Sequence, residues 1–508
     1  MKRNLLFIIA LFVCTLSFSQ GELDAYRYSN NDLSGTARGQ AMGGAFGALG
    51  GDVTGVAINP AGIGIYRSSE VLANMSLTSS LKQGNSIQES NTKFHFDNLS
   101  YIGYYPLVKG SMLSLNFGFN YNRIKSFDQR YNASSAEKSS SLTDYFLEIT
   151  DGIYHTTLDN YPYNNSSVPW LSILAWDGYL INKGNSDDNY MSILYEGEQV
   201  NSRLKVSERG RVESYDFTIG SNIADKFYWG VTLAITDLSY YMYSYYDEAF
   251  SEGDGFLLEN HLETKGSGIQ AKLGMIYKPS NAIRLGIAYH SPVWYSMTDY
   301  FWAQITPDGI YDGKDELVGT KKTPKDSYSY NFRTPGSWTF SLAGILGTKA
   351  IVSVDYEIKD YSAMNLKDTN GNDFIKDNKK INNDYKNAST LRTGLEYKFT
   401  PQLSGRLGYA WSQNPYQSDI ELMGKNTVSA GTITHYALQG DVNYLTAGIG
   451  FRFTPQFYGD FALVLRTQKD YLYYYPEVHY ITNVESDSFA GDFTNKSLKG
   501  LVTLGYKF

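Results

Sequence analysis

Residues 111–122 alternate without interruption. Leu113, Leu115, Phe117, Phe119 and Tyr121 share one parity, and Ser114, Asn116, Gly118, Asn120 and Asn122 share the other. A strand turns successive side chains to opposite faces, so this pattern demands an apolar environment on one side and a polar one on the other. The same alternation recurs over 283–290, 338–343, 352–359, 391–399, 403–412 and 444–453. In these segments the polar parity carries full charges, among them Asp355, Glu357, Arg392, Glu396 and Lys398. The core of a soluble sandwich does not accept such a row of charges, whereas a water-filled lumen does. The predicted fold class is therefore all-β, a transmembrane antiparallel β-barrel of about fourteen strands with its apolar parity toward lipid.

The connections argue the same way. Tight turns such as Pro279-Ser280 and Gly347-Thr348 alternate with long polar stretches near 80–92, 125–209, 244–256, 302–325, 361–387, 414–434 and 473–492. Short and long connections alternate in this way at the two rims of an outer-membrane barrel. The last segment places Leu498, Val502, Leu504, Tyr506 and Phe508 on one face. A final amphipathic strand ending in an aromatic residue resembles the signal read by the bacterial barrel-assembly machinery. The tyrosine clusters at 240–246 and 471–475 are expected to form an interfacial girdle.

At the other end, residues 1–19 read as a signal peptide, with Lys2 and Arg3 ahead of an apolar stretch. The single cysteine, Cys14, lies inside this leader, so the mature chain holds no thiol. Removing Lys2 and Arg3 takes the formal charge from −8 to −10, which argues against a nucleic-acid partner. Beyond the leader no apolar run approaches the ~18 residues of a membrane-spanning helix. Residues 20–68 differ from everything after them. They are crowded with small residues and hold too few large apolar ones for a core. Such a segment needs a wall to pack on, and it is expected to be a plug, or hatch, in the lumen of a barrel formed by 69–508. Gly43, Gly44, Gly47, Gly50 and Gly51 are the expected close-packing positions of that plug.

The order of a leader, a small-residue segment, Asp52 and then Asn59-Pro60-Ala61-Gly62 resembles the N-terminal hatch of the FadL/TodX family of outer-membrane transporters. Later stretches are similar too: Arg333-Thr334-Pro335 with 338–343, then 352–361, Arg406-Leu407-Gly408-Tyr409 and 448–453. The loops depart from the family, 125–209 most of all. The resemblance implies a passive transporter for long-chain fatty acids or similar hydrophobic compounds in the outer membrane of a Gram-negative bacterium. It also implies a hatch-closed lumen and sideways release at a kinked third strand. Gly118 lies on the third strand and is the expected position of that gap, with Asn59-Pro60-Ala61 opposite; packing alone is the competing reading. A carboxylate head group needs a cation, and inner-parity Arg284, Arg392, Arg406 and Arg452 are the candidates, with Glu357 and Glu396 competing for them. The expected partners are a hydrophobic small molecule, outer-membrane lipid and, through Phe508, the barrel-assembly machinery. The protein is expected to act as a monomer.

No catalytic residue, cofactor or metal is expected. A Gly-x-Ser-x-Gly elbow is missing, the six histidines show no ligand spacing, and 368–373 lacks the glycine and glutamate positions of a calcium loop. Two other functions fit the sequence. One is uptake of an amphipathic ligand such as haem, suggested by His95, His290 and His435 in or beside strands. The other is a structural or adhesive barrel that acts through its extracellular loops.

Overall fold

The computed structural model describes residues 21–84, 88–108, 110–159, 163, 168–417, 431–478 and 488–508; the leader lies outside the described residues. A closed ring of fourteen antiparallel strands forms the body. In chain order these are β1 Glu70–Gly84, β2 Gln88–Pro106, β3 Met112–Ser126, β4 Val200–Ile223, β5 Phe227–Phe250 and β6 Gly255–Tyr277. Then comes β7 in two pieces, Ile283–His290 and Trp294–Asp308, and β8 in two pieces, Asp326–Arg333 and Ser337–Leu346. The ring continues with β9 Ala350–Asp360, β10 Asn387–Lys398, β11 Leu403–Ser412, β12 Tyr436–Arg452, β13 Phe457–Tyr473 and β14 Phe489–Lys507. It closes where β14 pairs with β1, from Glu70 opposite Lys507 to Gly84 opposite Phe493. Closure leaves no unpaired edge, the condition for a sheet to sit in a bilayer.

The apolar parity points outward and stays uncovered, with Phe117 51 %, Leu407 59 % and Leu445 63 % exposed. The charged parity points inward, where Asp355 and Glu396 are buried. Two adjacent strands are interrupted at the same level, β7 at Ser291-Pro292-Val293 and β8 at Thr334-Pro335-Gly336. Proline has no N–H to give to a ladder, which accounts for a break in each strand.

Three expectations are corrected here. The connection read as 125–209 is much shorter, because Gln129–Lys138 carries β3 onward against β4, whose first residue is Val200. The stretch read as the loop 244–256 is almost entirely strand. With 24, 24 and 23 residues, β4, β5 and β6 are about twice as long as a membrane requires, and they rise well beyond it. Both segments lack the continuous apolar parity of the membrane strands, which reads as loop in a sequence, yet the ladder continues because neighbouring strands satisfy its backbone. The tyrosine girdle also fails for the buried members of its clusters. Tyr240, Tyr246, Tyr474 and Tyr475 are fully buried inside the tall extracellular end, where Tyr240 packs edge-on against Phe127 at 5.1 Å.

Residues 21–66 fill the ring. They form α1 Glu22–Ser29, α2 Ala37–Ala41, α3 Val53–Ile58 and a 3-10 turn at Pro60–Ile65. Helix α2 packs against β11 to β14, the 3-10 turn packs against β3 to β6, and Gly47 abuts Ser341 of β8 and Asp355 of β9. A segment that touches strands all the way round occupies the lumen. Above it, α4 Leu142–Thr150, α5 His155–Asp159 and α6 Trp170–Asp177 belong to the 139–199 connection.

Candidate functional site

The plug is held together by polar groups rather than by a core of its own. Thr36 caps α2 by accepting from the Gly39 N–H, and its hydroxyl donates to Asp52 Oδ1 at 2.9 Å. Asp52 in turn caps α3 by accepting from Thr54 N at 2.9 Å. Asn59 caps the 3-10 turn, its Oδ1 accepting from Ala61 N at 3.1 Å. The same side chain donates through Nδ2 to Gly47 O at 2.8 Å and to Met275 O of β6 at 3.1 Å. One asparagine thus joins two arms of the plug to the wall, and the capping position explains why that residue type stands before Pro60.

Lumen-facing side chains seat the plug from all sides. Asp355 Oδ2 accepts from Phe46 N at 2.9 Å and from Gly47 N at 2.8 Å. Asn116 Nδ2 donates to Ile63 O at 2.6 Å, Asn74 Nδ2 to Gly35 O at 2.9 Å, and Thr503 Oγ1 accepts from Ala37 N at 2.8 Å. At several points where plug meets strand backbone, the strand residue is glycine. A Cβ on Gly230 would lie 2.3 Å from Pro60 O, one on Gly274 2.0 Å from Asn59 Oδ1, and one on Gly408 2.1 Å from Gly43 N. No side chain fits at those distances, so these positions make room for the plug's main chain.

Two cavities between plug and wall adjoin each other. The first, about 190 Å³, is bordered by Leu33, Ile58, Val293, Tyr295, Thr334 and Tyr444, with Glu357 and Arg392 at one side. It abuts the paired breaks in β7 and β8. There the ladder is patched by side chains: Thr334 Oγ1 accepts from Val293 N at 2.8 Å, and Ser291 Oγ accepts from Ala271 N at 3.0 Å. Tyr295 borders this cavity and also an outer groove that holds Ile235, Ile269 and Trp294, which are 44, 54 and 49 % exposed. At this level the wall is one side chain thick. The second cavity, about 180 Å³, shares Leu33, Ile124 and Tyr444 with the first and is bounded by strands β1 to β3, β13 and β14.

Residues 257–472 match the family described as outer membrane protein transport protein (OMPP1/FadL/TodX). The fold of nearly the whole chain is that of a FadL homologue of Pseudomonas aeruginosa, with a TM-score of 0.50 at 13 % identity over 94 % of this chain and 99 % of that one. The chain has the fold of a FadL-type barrel. The toluene transporter TbuX of Ralstonia pickettii aligns at 13 % identity over 93 % of this chain and 98 % of its own, with a TM-score of 0.48. For the toluene transporter TodX of Pseudomonas putida the figures are 13 %, 94 %, 99 % and 0.47. No curated protein matches the chain.

Within this barrel the sequence-derived candidates fall into distinct places. Gly43 and Gly47 pack on the wall, and Gly44 lies against Leu33 and Arg392; Gly50 and Gly51 instead pack inside the plug, against Ile65. Asn59, Pro60, Ala61 and Gly62 lie against β5 and β6 or against Gly50. Gly118 faces Ile63, not the Asn-Pro-Ala triplet, and is paired on both sides, to Ile102 of β2 and Thr218 of β4. The expected gap at Gly118 is therefore absent from this structure: the register shifts of β3 lie at Met112/Ser114 and Arg123/Lys125, and the glycine serves close packing.

Three of the four expected head-group arginines are engaged, and the fourth lies outside the cavities. Arg392 is paired with Glu357 at 2.5 Å, and Arg406 with Glu396 at 2.7 Å and Asp460 at 2.5 Å. Arg284 donates to the Leu49 carbonyl beneath the plug, and Arg452 is exposed at the end of β12. The three histidines are not brought together. His95 borders the second cavity, His290 bonds the Ile58 carbonyl at 2.9 Å beside the first, and His435 lies in another pocket. Sequence reading missed the wall glycines as a seat. Their signal was their place on the inner parity, which Gly286, Gly394 and Gly408 all share.

Proposed function

We propose that this outer-membrane barrel carries hydrophobic or amphipathic small molecules, long-chain fatty acids among them, by passive movement. The plug is the gate and the wall is the exit. The observation that carries the reading is the first cavity, enclosed between plug and wall and separated from the lipid-facing groove by Tyr295 at the breaks in β7 and β8. Capture needs no chemical energy, since burying a methylene is worth about 0.8 kcal/mol. Release needs a local opening, and the wall is weakest where two prolines remove ladder bonds and side chains replace them. Sideways release is therefore assigned to this break rather than to Gly118.

The test is uptake of labelled palmitate into proteoliposomes, with sucrose as the hydrophilic control. The mature chain has no cysteine, so Val293→Cys with Thr334→Cys gives a unique cross-link across the break. The wild type takes up palmitate saturably and excludes sucrose. The oxidised double variant loses uptake and regains it on reduction. Sucrose flux without palmitate uptake would overturn the transport reading. Unchanged palmitate uptake after oxidation would overturn release at the break.

A further inference from the structure

Strands β5, β6 and the second piece of β7 stay in register far above the lipid-facing band, so their outward side chains fall into rows. The last apolar row is Ile235, Ile269 and Trp294. Two polar rows follow, first Asp237, Ser267 and Ser296, then Ser239, Lys265 and Thr298. Above them the rings return. Tyr241, Glu263 and Tyr300 form one row, and Tyr243, His261 and Trp302 the next; Tyr245, Glu259 and Gln304 form the third. His261 is eight residues beyond Ile269 on β6, which at the usual rise and tilt of a barrel strand puts it about 20 Å higher. An interfacial girdle borders the lipid directly. These rings are held off from it by two polar rows, and they face outward from the barrel.

A groove of about 850 Å³ runs over them. Its floor is fixed in place. His261 stacks on Trp302 at 3.9 Å, and Tyr243 leans on His261 at 4.6 Å. The Tyr243 hydroxyl donates to Glu259 Oε1 at 2.5 Å, Gln304 donates to Oε2 of the same carboxylate, and Lys265 lies 2.5 Å from Glu263. Tyr300 remains 45 % exposed. Two cations edge the groove. Lys325 lies over the Trp302 ring at 5.7 Å, and Arg209, opposite Tyr241 on β4, forms no ion pair among the described residues.

Rings interleaved with oriented carboxylates suit a saccharide. A pyranose offers an apolar C–H face to an aromatic ring and hydroxyls at its rim to carboxylates, and a phosphate on it meets a guanidinium or ammonium group. Three strands make a row about 10 Å wide, room for two sugar rings. Position decides the source. The rows rise from the same outward parity that touches lipid, so the molecule beside them is the head group of a neighbouring outer-leaflet lipid. We infer that the outward face of β5 to β7 is a docking platform for the phosphorylated oligosaccharide head group of a glycolipid. Tyr300 and Trp302 stack on its sugars, and Arg209 and Lys325 take its phosphate. The platform lies outside the lumen and is independent of the transport reading.

The probes are rough lipopolysaccharide with a complete core, lipid A without the core, and the free core oligosaccharide. Each is titrated against the full-length protein in a non-ionic detergent and followed by native mass spectrometry. The wild type binds the core-bearing lipid roughly tenfold or more tightly than lipid A, the scale of ring stacking together with a charged hydrogen bond. Tyr300→Ala with Trp302→Ala removes that preference and leaves lipid A binding unchanged. Tyr300→Leu with Trp302→Leu, which keeps apolar bulk and loses the flat rings, removes it too, and Arg209→Gln lies between. Heat-modifiable migration on gels verifies that each variant is folded. Equal binding of the two lipids by the wild type, or either double variant keeping the preference, overturns the platform. Free core oligosaccharide that binds as tightly as the intact lipid overturns the head-group assignment and makes the face a site for a soluble glycan.

Discussion

Arg38 of the plug meets Glu396 of the wall in a two-pronged ion pair, Nε to Oε2 at 2.9 Å and Nη2 to Oε1 at 3.2 Å. The wall's own Arg406 donates to the same Oε2 at 2.7 Å and reaches on to Asp460. One buried carboxylate therefore ties the plug to the wall, and it does so with charges that hold each other in place. The pair is buried enough that its loss has consequences, unlike an exposed surface bridge.

Glu396→Gln leaves Arg38 and Arg406 without their shared carboxylate, and breaking a buried pair costs about 3–5 kcal/mol. The barrel ladder does not depend on it. Single-channel recording in planar bilayers is expected to show more frequent or larger openings than in the wild type, with folded migration on gels retained. Conductance equal to that of the wild type would remove the latch role.

The glycine seat predicts unequal effects for the same substitution. At Gly230 a methyl group meets the Pro60 carbonyl, which is backbone and cannot turn away; at Gly47 it meets the Ser341 hydroxyl at 2.1 Å, which can rotate. Gly230→Ala is expected to cost about 1–3 kcal/mol, the scale of overpacking, and Gly47→Ala less than about 1 kcal/mol. Thermal unfolding in detergent, followed by circular dichroism, separates them. Equal midpoints would contradict the seat.

Tyr295 closes the thin wall, so Tyr295→Ala is expected to raise the initial rate of palmitate uptake several-fold while costing about 3–5 kcal/mol of stability. Phe461→Ala, on the lipid-facing parity of β13 and away from the break, serves as the comparison and leaves the rate unchanged. A Tyr295→Ala protein that is folded and no faster would place the exit elsewhere.

A pH dependence is built into the extracellular end. Glu248, near the end of β5, accepts from Leu142 N at 2.9 Å and from the Ser141 and Tyr246 hydroxyls, and so holds the start of α4. Burial pushes its carboxyl up from 4.5 to about 7. The native state therefore binds this proton more readily than the unfolded one. The contribution to stability is complete below pH 4.5, declines as pH rises to about 7 and is flat beyond, amounting to a loss on the order of 3 kcal/mol. Asp144, pushed by burial to about 6, adds a smaller loss of the same sign. Protection factors at 142–150, corrected for intrinsic exchange, are expected to be higher at pH 5 than at pH 8, and Glu248→Gln to remove most of the difference. Equal protection at both pH values in the wild type would refute it.

The alternation at 111–122 and its repeats determined the barrel from sequence alone, because a strand with charge on one parity and bulky apolar groups on the other has one stable setting, between water and lipid. The excess of small residues in 20–68 likewise determined that this segment needs a wall. What sequence did not determine were the outcomes that depend on which residues face each other across the lumen. The wall glycines read as ordinary inner-parity residues until Pro60 and Asn59 are seen against them. Arg392 and Arg406 read as open head-group cations until Glu357 and Glu396 are found beside them. The long polar strands read as loops, since their backbone is satisfied by neighbours far away in the chain and their side chains carry no trace of it. Periodicity is local and survives in the sequence; pairing across a lumen is a property of closure, and only the closed ring decides it.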